Sequence, residues 1–329
     1  MTFPLRRTAA LAAALIGSLT CLAAAAPVAD NPIVKNQFVA DPSAHAFNGR
    51  VYLYLTNDSG NDGKYWNSRD WRALSSADMK RWTDHGSIFS VAGFKWAKAL
   101  AWAPAAAHRG GWYYLYLPVD RTKIGVARSK SPVGPFKDAR GGPIIDTARD
   151  ANTGKEPIDP MVFVDRDGQS YMYFGSRTPK VVRLAPDMVR TAEPIKDVKI
   201  ENSTVKYGEA PWLHRRGDVY YFSYSTGWPG QIAYATGSSP MGPFTHRGIV
   251  LDKVNTVTNH QAIVEHGGQW YLFYHHNALP GGGEHKRSTA VERLVHLADG
   301  SIRKVTPTKE GLSASYRTVA GGASPGAGS

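Results

Sequence analysis

Five stretches of this chain carry the same alternation of aromatic and aliphatic residues behind a turn glycine. They are Gly49-Arg-Val-Tyr-Leu-Tyr54, Gly111-Trp-Tyr-Tyr-Leu-Tyr116, Gly168-Gln-Ser-Tyr-Met-Tyr173, Gly217-Asp-Val-Tyr-Tyr-Phe222 and Gly268-Gln-Trp-Tyr-Leu-Phe273. The glycines lie 62, 57, 49 and 51 residues apart. Residues of this kind suit a pleated, half-buried surface, so each tract predicts a strand. A second tract follows. Ile124 to Phe136 is matched by Ile232 to Phe244, both with Ser-Pro-x-Gly-Pro-Phe, and Trp71–Met79 (with Trp82) and Val181–Met188 are weaker counterparts. It reads as a strand, a Pro/Gly turn and a short edge strand, where a missing N–H is tolerated. No amphipathic helix longer than two turns is predicted. Five units of strand and turn predict an all-β fold, a five-bladed β-propeller. A long β-sandwich would not reproduce the repeated order within each unit.

Eight or nine residues before each glycine lies a second recurring position. It reads Ala40-Asp41-Pro42, Ala101-Trp102-Ala103-Pro104, Ile158-Asp159-Pro160, Gly208-Glu209-Ala210-Pro211 and Asn259-His260-Gln261. If Asp41, Trp102, Asp159, Glu209 and His260 are equivalent, they sit at one level of the blades. At the mouth of the innermost strands they would converge on the axis. An isolated Asp-Pro is usually a turn, and an isolated Glu is usually a solvated surface group. The shared position is what points to chemistry. Like charges in a poorly solvated funnel raise each other's pKa. Glycoside hydrolysis uses such a set: a base for water and an acid for the leaving oxygen, about 6.5–9.5 Å apart in inverting enzymes. A third carboxylate can keep the acid protonated, and Trp102 offers a flat face to a sugar ring. A retaining glycosidase with a closer carboxyl pair is an alternative, as is a carbohydrate-binding propeller without catalysis.

These motifs also carry a likeness. Ala40-Asp-Pro-Ser-Ala-His45, Ala101-Trp-Ala-Pro104, Ile158-Asp-Pro-Met-Val162, Tyr207-Gly-Glu-Ala-Pro-Trp212 and Asn259-His-Gln-Ala-Ile-Val264 together resemble glycoside hydrolase family 43, from Asn31 to Gly311. The resemblance implies a five-bladed propeller that works by inversion. Asp41 would be the general base, Glu209 the general acid, and Asp159 the residue that tunes and orients the acid. It also implies a substrate-channel histidine, His260, beside a calcium ion or water cluster. Calcium prefers oxygen ligands, so His260 as a metal residue would act through water. Arg287 matches an arginine that reaches towards the pocket, to bond sugar hydroxyls or to hold Asp41 and Asp159 ionised. Relatives often read Gly-Pro where this chain has Ala210-Pro211. Trp66, Trp71 and Trp96 are read either as a subsite wall or as blade packing. The implied activity is exo release of arabinofuranosyl or xylosyl residues from hemicellulose, with no required cofactor.

The N-terminus adds a compartment. Arg6 and Arg7, the apolar Ala9–Leu19 and the small residues Ala23–Ala26 predict a signal peptide over 1–26, cleaved before Pro27. Ser18-Leu19-Thr20 before Cys21 is a poor lipobox. Cys21 is the single cysteine, so a mature chain has no thiol, which excludes disulfides, a Cys nucleophile and Cys-based metal sites. That fits a secreted or periplasmic protein. The propeller is predicted over 27–312, followed by a low-complexity Gly/Ala/Ser tail over 313–329. A net charge of +12 would suit nucleic acid. The Lys and Arg residues are scattered, however, without basic runs. The expected partner is an oligo- or polysaccharide, with no nucleic acid or membrane, and the expected state is a monomer.

Overall fold

The structure, a computed structural model, describes residues 31–313. The predicted signal peptide with Cys21, and the tail beyond Ser313, lie outside the described residues. Five antiparallel sheets follow one another along the chain as blades. Blade 1 runs from the inside out through Ala40–Phe47, Arg50–Thr56, Asp70–Ser76 and Thr83–Ser90. Blade 2 has Ala105–Arg109, Trp112–Val119, Lys123–Ser129 and Lys137–Asp138, and Ile145–Asp146 also pairs with its third strand. Blade 3 has Met161–Val164, Ser170–Phe174, Lys180–Arg183 and Lys196–Asp197. Blade 4 has Glu209–Arg216, Val219–Ser225, Ile232–Gly237 and Phe244–Leu251, with Ile200–Glu201 added in parallel outside. Blade 5 has three strands, Gln261–His266, Gln269–His276 and Ser288–Leu294. The five glycine-led tracts are therefore the second strands, and the matching tracts contribute the third. Among the described residues, no helix is long and apolar enough to cross a membrane.

The alternation explains how the blades pack. Tyr54, Tyr116, Tyr173, Phe222 and Phe273 of the second strands are fully buried between blades. A buried tyrosine needs a partner for its hydroxyl, and the next blade supplies it. Tyr54 Oη donates to the Pro132 carbonyl at 2.7 Å, and Tyr116 Oη to that of Met188 at 2.8 Å. Tyr173 Oη donates to the Pro240 carbonyl. Pro132 and Pro240 are the equivalent prolines of the two Ser-Pro-x-Gly-Pro turns, so one half of the repeat reads the other across the boundaries of blades 1 and 2 and of blades 3 and 4.

The two ends of the described residues meet on the outer edge of blade 5. Ile33 N–H donates to the Thr289 carbonyl at 2.8 Å, and Asn31 N–H to that of Lys309 at 2.9 Å. The Asn31 amide donates to Glu292 Oε1, Val291 O and Thr308 O at 2.8, 3.2 and 2.9 Å, and accepts from Val291 N–H at 2.9 Å. One side chain thus ties the first segment, the third strand of blade 5 and the final segment together. Asn31→Ala should cost about 2 kcal/mol, because it strands several partly buried groups. Chemical denaturation of the variant and its parent measures this.

Candidate active site

Where the five recurring positions lie follows from the strands. Asp41 and Glu209 open the innermost strands of blades 1 and 4, while Asp159, His260 and Trp102 lie one to three residues before those of blades 3, 5 and 2. All five line one pocket. Their strict equivalence is corrected by the register. In blade 1, Ala40 pairs with Thr56 and Ser43 with Tyr54, so Asp41 and Pro42 face a single residue. In blade 4, Glu209 pairs with Ser225 and Trp212 with Ser223, so Ala210 and Pro211 form the same bulge. Asp41 therefore matches Ala210, not Glu209. Asp41, Asp159 and Ala210 all precede a proline and have φ of 52°, 54° and 56°. Such bulges re-aim side chains beside active sites. Two carboxyls stand on the left-handed residue itself, and the third stands one residue earlier. Ala210 sits in the left-handed region that glycine tolerates most easily.

The Glu209–Ala210 peptide is pinned from both sides. Ala210 N–H donates to Asp159 Oδ2 at 3.0 Å, and the Ala210 carbonyl accepts from Gln261 Nε2 at 2.8 Å. Asp159 thereby orients Glu209 through the backbone. Asn259 anchors the same motif to blade 4 by donating to the Gly230 carbonyl at 3.0 Å.

The three carboxyls are only 6–8 % exposed, yet they take opposite charge states. Burial would raise Asp41. Arg287 outweighs it, aided by His275 and His260, and holds this carboxyl far below the usual range. Arg287 Nη1 and Nη2 grip Asp41 Oδ1 and Oδ2 at 2.7 and 3.1 Å, and His275 Nδ1 lies 3.3 Å from Oδ1. Glu209 goes the other way. Burial, then the Asp41 charge, push it up to about 8 against a hydrogen bond from Trp228. Asp159 is raised well above its ordinary value by burial, then Glu209 and Asp41. The expectation that Arg287 keeps Asp159 ionised is thus not met, because burial and two carboxyls prevail over it. Alongside burial and the Asp41 charge, Asp159 and Glu209 raise one another as buried like charges do.

Arg287 also departs from its expected contact with sugar hydroxyls. Nε donates to Asp58, Nη1 to Asp41 and Thr258, and Nη2 to Asp41 and Asp58. All five of its N–H groups are engaged within the protein.

Around the rim, Trp102 is held by its indole N–H on the Trp66 carbonyl at 2.6 Å, and Arg121 lies over its ring at 6.0 Å. Arg121 pairs with Glu156. In the same pocket wall, Arg177 lies 4.9 Å over Trp228, which is 39 % exposed. The tryptophans of the first insert divide. Trp66 lines the pocket, whereas Trp71 is fully buried and Trp96 packs on Phe94 and donates to Asp138. Tyr65, Arg121, Glu156, Arg177 and Trp228 went unread because they lie in loops outside the repeated positions. His260 is 7 % exposed and burial lowers it to about 4, so it is a neutral imidazole; its Nδ1 is 3.9 Å from Asp159 Oδ2. Among the described residues, no three His, Cys, Asp or Glu side chains gather to hold a metal ion. The residues around His260 therefore do not make a calcium cage of the oxygen-rich kind such an ion takes.

Three buried carboxyls, Asp41 held low by Arg287 against burial and Glu209 and Asp159 raised by it, face a pocket walled by tryptophan on a five-bladed propeller, the arrangement of a glycoside hydrolase. The family model for glycosyl hydrolases family 43 matches residues 29–302, and the chain belongs to that family. Xylosidase/arabinosidase 43A of Humicola insolens is 34 % identical, over 82 % of this chain and 98 % of its own. A family 43 β-xylosidase/α-arabinofuranosidase from a compost microbial metagenome, solved with xylotriose in a calcium-free form, is 38 % identical with a TM-score of 0.77. That match covers 84 % of this chain and 97 % of the other. The GH43_1 enzyme of Xanthomonas citri, complexed with xylotriose, is 35 % identical with a TM-score of 0.77, covering 84 % and 94 %.

The raised Glu209 has a consequence for stability. Its folded-state value of about 8 exceeds the ordinary 4.5, so the folded protein keeps a proton that the unfolded chain releases. The contribution of that proton is complete below pH 4.5 and is lost as pH rises through 8. Glu209→Gln has no such proton to lose. Its melting temperature should gain on the parent across that window, and thermal melts in a pH series check this. Parallel curves would contradict the burial of an uncharged acid.

Proposed function

We propose that the protein is an inverting, exo-acting glycoside hydrolase that releases α-L-arabinofuranosyl or β-D-xylosyl residues from hemicellulose such as arabinoxylan. The observation that carries this reading is the split in protonation between Asp41 and Glu209 across one pocket. An ionised, arginine-held Asp41 suits the general base. It takes a proton from water as the water oxygen bonds to the anomeric carbon. Glu209, uncharged at neutral pH, suits the general acid. It gives its proton to the glycosidic oxygen as the C–O bond breaks. The cycle leaves Asp41 protonated and Glu209 ionised, and exchange with solvent restores both. Asp159 acts as a positioning residue through Ala210, and Trp102 offers its ring to the C–H face of the sugar.

The names of the relatives support a pentose as the released sugar. The xylotriose complexes of two of them favour β-xylosidase action on xylooligosaccharides as a second reading beside arabinofuranosidase action. No step is assigned to a metal, and calcium near His260 would be held through water. The leader-like N-terminus supports export to the periplasm or medium, with Pro27 as the mature N-terminus.

Glu209→Gln should lose about 10²–10⁴-fold in kcat on arabinoxylan or xylooligosaccharides, whose leaving groups need protonation. It should lose far less on aryl pentosides with good leaving groups. Equal losses on both would remove the acid role. Proton NMR of the newly released sugar should show an inverted anomer, and a retained one would refute the roles of both Asp41 and Glu209. For the parent, kcat/KM should fall as pH rises through about 8, where Glu209 loses its proton.

A further inference from the structure

Asp58 belongs to neither the repeated positions nor the pocket lining, yet it is 0 % exposed and carries a carboxylate. It begins the short 3-10 turn Asp58–Gly60, just beyond the second strand of blade 1. Its carboxylate accepts three bonds from one residue: Arg287 Nε to Oδ2 at 2.8 Å, Arg287 Nη2 to Oδ1 at 3.0 Å, and Arg287 backbone N–H to Oδ2 at 3.0 Å. The turn is fixed in return by Lys286, whose Nζ donates to the carbonyls of Asp58, Ser59 and Asn61 at 3.0, 3.3 and 2.7 Å.

A guanidinium is a flat fork with two edges that each match a carboxylate. Asp58 takes the Nε/Nη2 edge and Asp41 the Nη1/Nη2 edge. Thr258 takes the remaining donor of Nη1 at 3.2 Å. Without Asp58, the head of Arg287 would be held only by the carboxylate it is meant to hold and by one hydroxyl. We propose that Asp58 is a positioning residue for the base: by seizing one edge of the Arg287 fork and its backbone N–H, it fixes the plane in which the other edge presents Asp41. The proposal rests on the reading of Asp41 as the base.

The groups facing Asp41 are Arg287, His275 and His260, with Asp159 and Glu209 across the pocket. Removing the Asp58 charge while Arg287 stayed in place would make Asp41 easier to ionise, because one nearby negative charge is gone. Losing the position of Arg287 would make Asp41 harder to ionise. The two effects have opposite signs, so the direction of the shift separates positioning from charge alone.

The test is Asp58→Asn in the full chain, with folding checked by circular dichroism and melting temperature. On an activated aryl pentoside, kcat should fall about 10²-fold, with KM changed less than about threefold. The acid limb of kcat/KM should move up by about one pH unit or more. The Asp41 carboxyl, followed by ¹³C NMR and assigned with Asp41→Asn, should shift the same way without any turnover. In an Arg287→Lys background, Asp58→Asn should cost little further activity, since both act through one fork. An unmoved or lowered Asp41 titration, a kcat near that of the parent, or fully additive losses would each overturn the proposal. If Asp58→Asn does not fold, Asp58→Glu keeps the charge while displacing the fork by one methylene. A fully active Asp58→Glu would overturn the proposal, and a loss in kcat with the Asp41 shift supports it. A parent that releases no pentose would sink the proposed function, and the NMR titration would still decide the role of Asp58.

Discussion

A single guanidinium decides the charge of this site. Asp41, Asp58, Asp159 and Glu209 are all withdrawn from water, and Arg287 pairs with the first two. Burying charge is expensive unless it is paired and hydrogen-bonded. Asp41 and Asp58 share the arginine, which with the nearby histidines holds Asp41 low against burial, while burial raises Glu209 and Asp159 despite the same arginine. The contrast between a lowered Asp41 and a raised Glu209 therefore follows from which carboxyl the guanidinium grips. It does not require different residue types or different depths, since Asp41 and Glu209 are almost equally buried.

The scaffold makes that division reproducible. Blades 1 to 3 each hand a tyrosine hydroxyl to the next blade, so the angular order of their inner strands is fixed by bonds at a distance from the pocket. Within that order, bulges with left-handed residues turn the side chains inward. The Glu209–Ala210 peptide is held by Asp159 on one flank and Gln261 on the other. Its geometry thus depends on three blades at once.

Much of this was legible in the sequence because it is repetitive. The Tyr-x-Tyr tracts gave strand identity through their alternation, and the shared distance to Asp41, Asp159 and Glu209 gave the pocket. The one-residue offset of Glu209 was not legible, since a bulge is a backbone event that residue spacing alone does not report. The full engagement of Arg287 escaped for a related reason. Its second partner, Asp58, lies in a loop with no counterpart in the other blades. The rim residues Arg121, Arg177 and Trp228 escaped as well: they lie in the short turns between the second and third strands of blades 2, 3 and 4, whose lengths and residue types differ from blade to blade. Trp66 and Trp71 show the limit within one insert. They are the same residue type five positions apart, yet one faces the pocket and the other the core.

The meeting of Asn31 with Lys309 at the rim of blade 5 makes the ring topologically indifferent to where it is cut. Ends of a folded domain that lie side by side on a surface are the usual precondition for circular permutation. A short bridge across this seam, with a new opening at an exposed hairpin such as Asn48-Gly49, would reorder the blades in sequence while leaving every pocket residue at its place around the axis. The molecule is in that sense a circle written as a line, and its active site belongs to the circle.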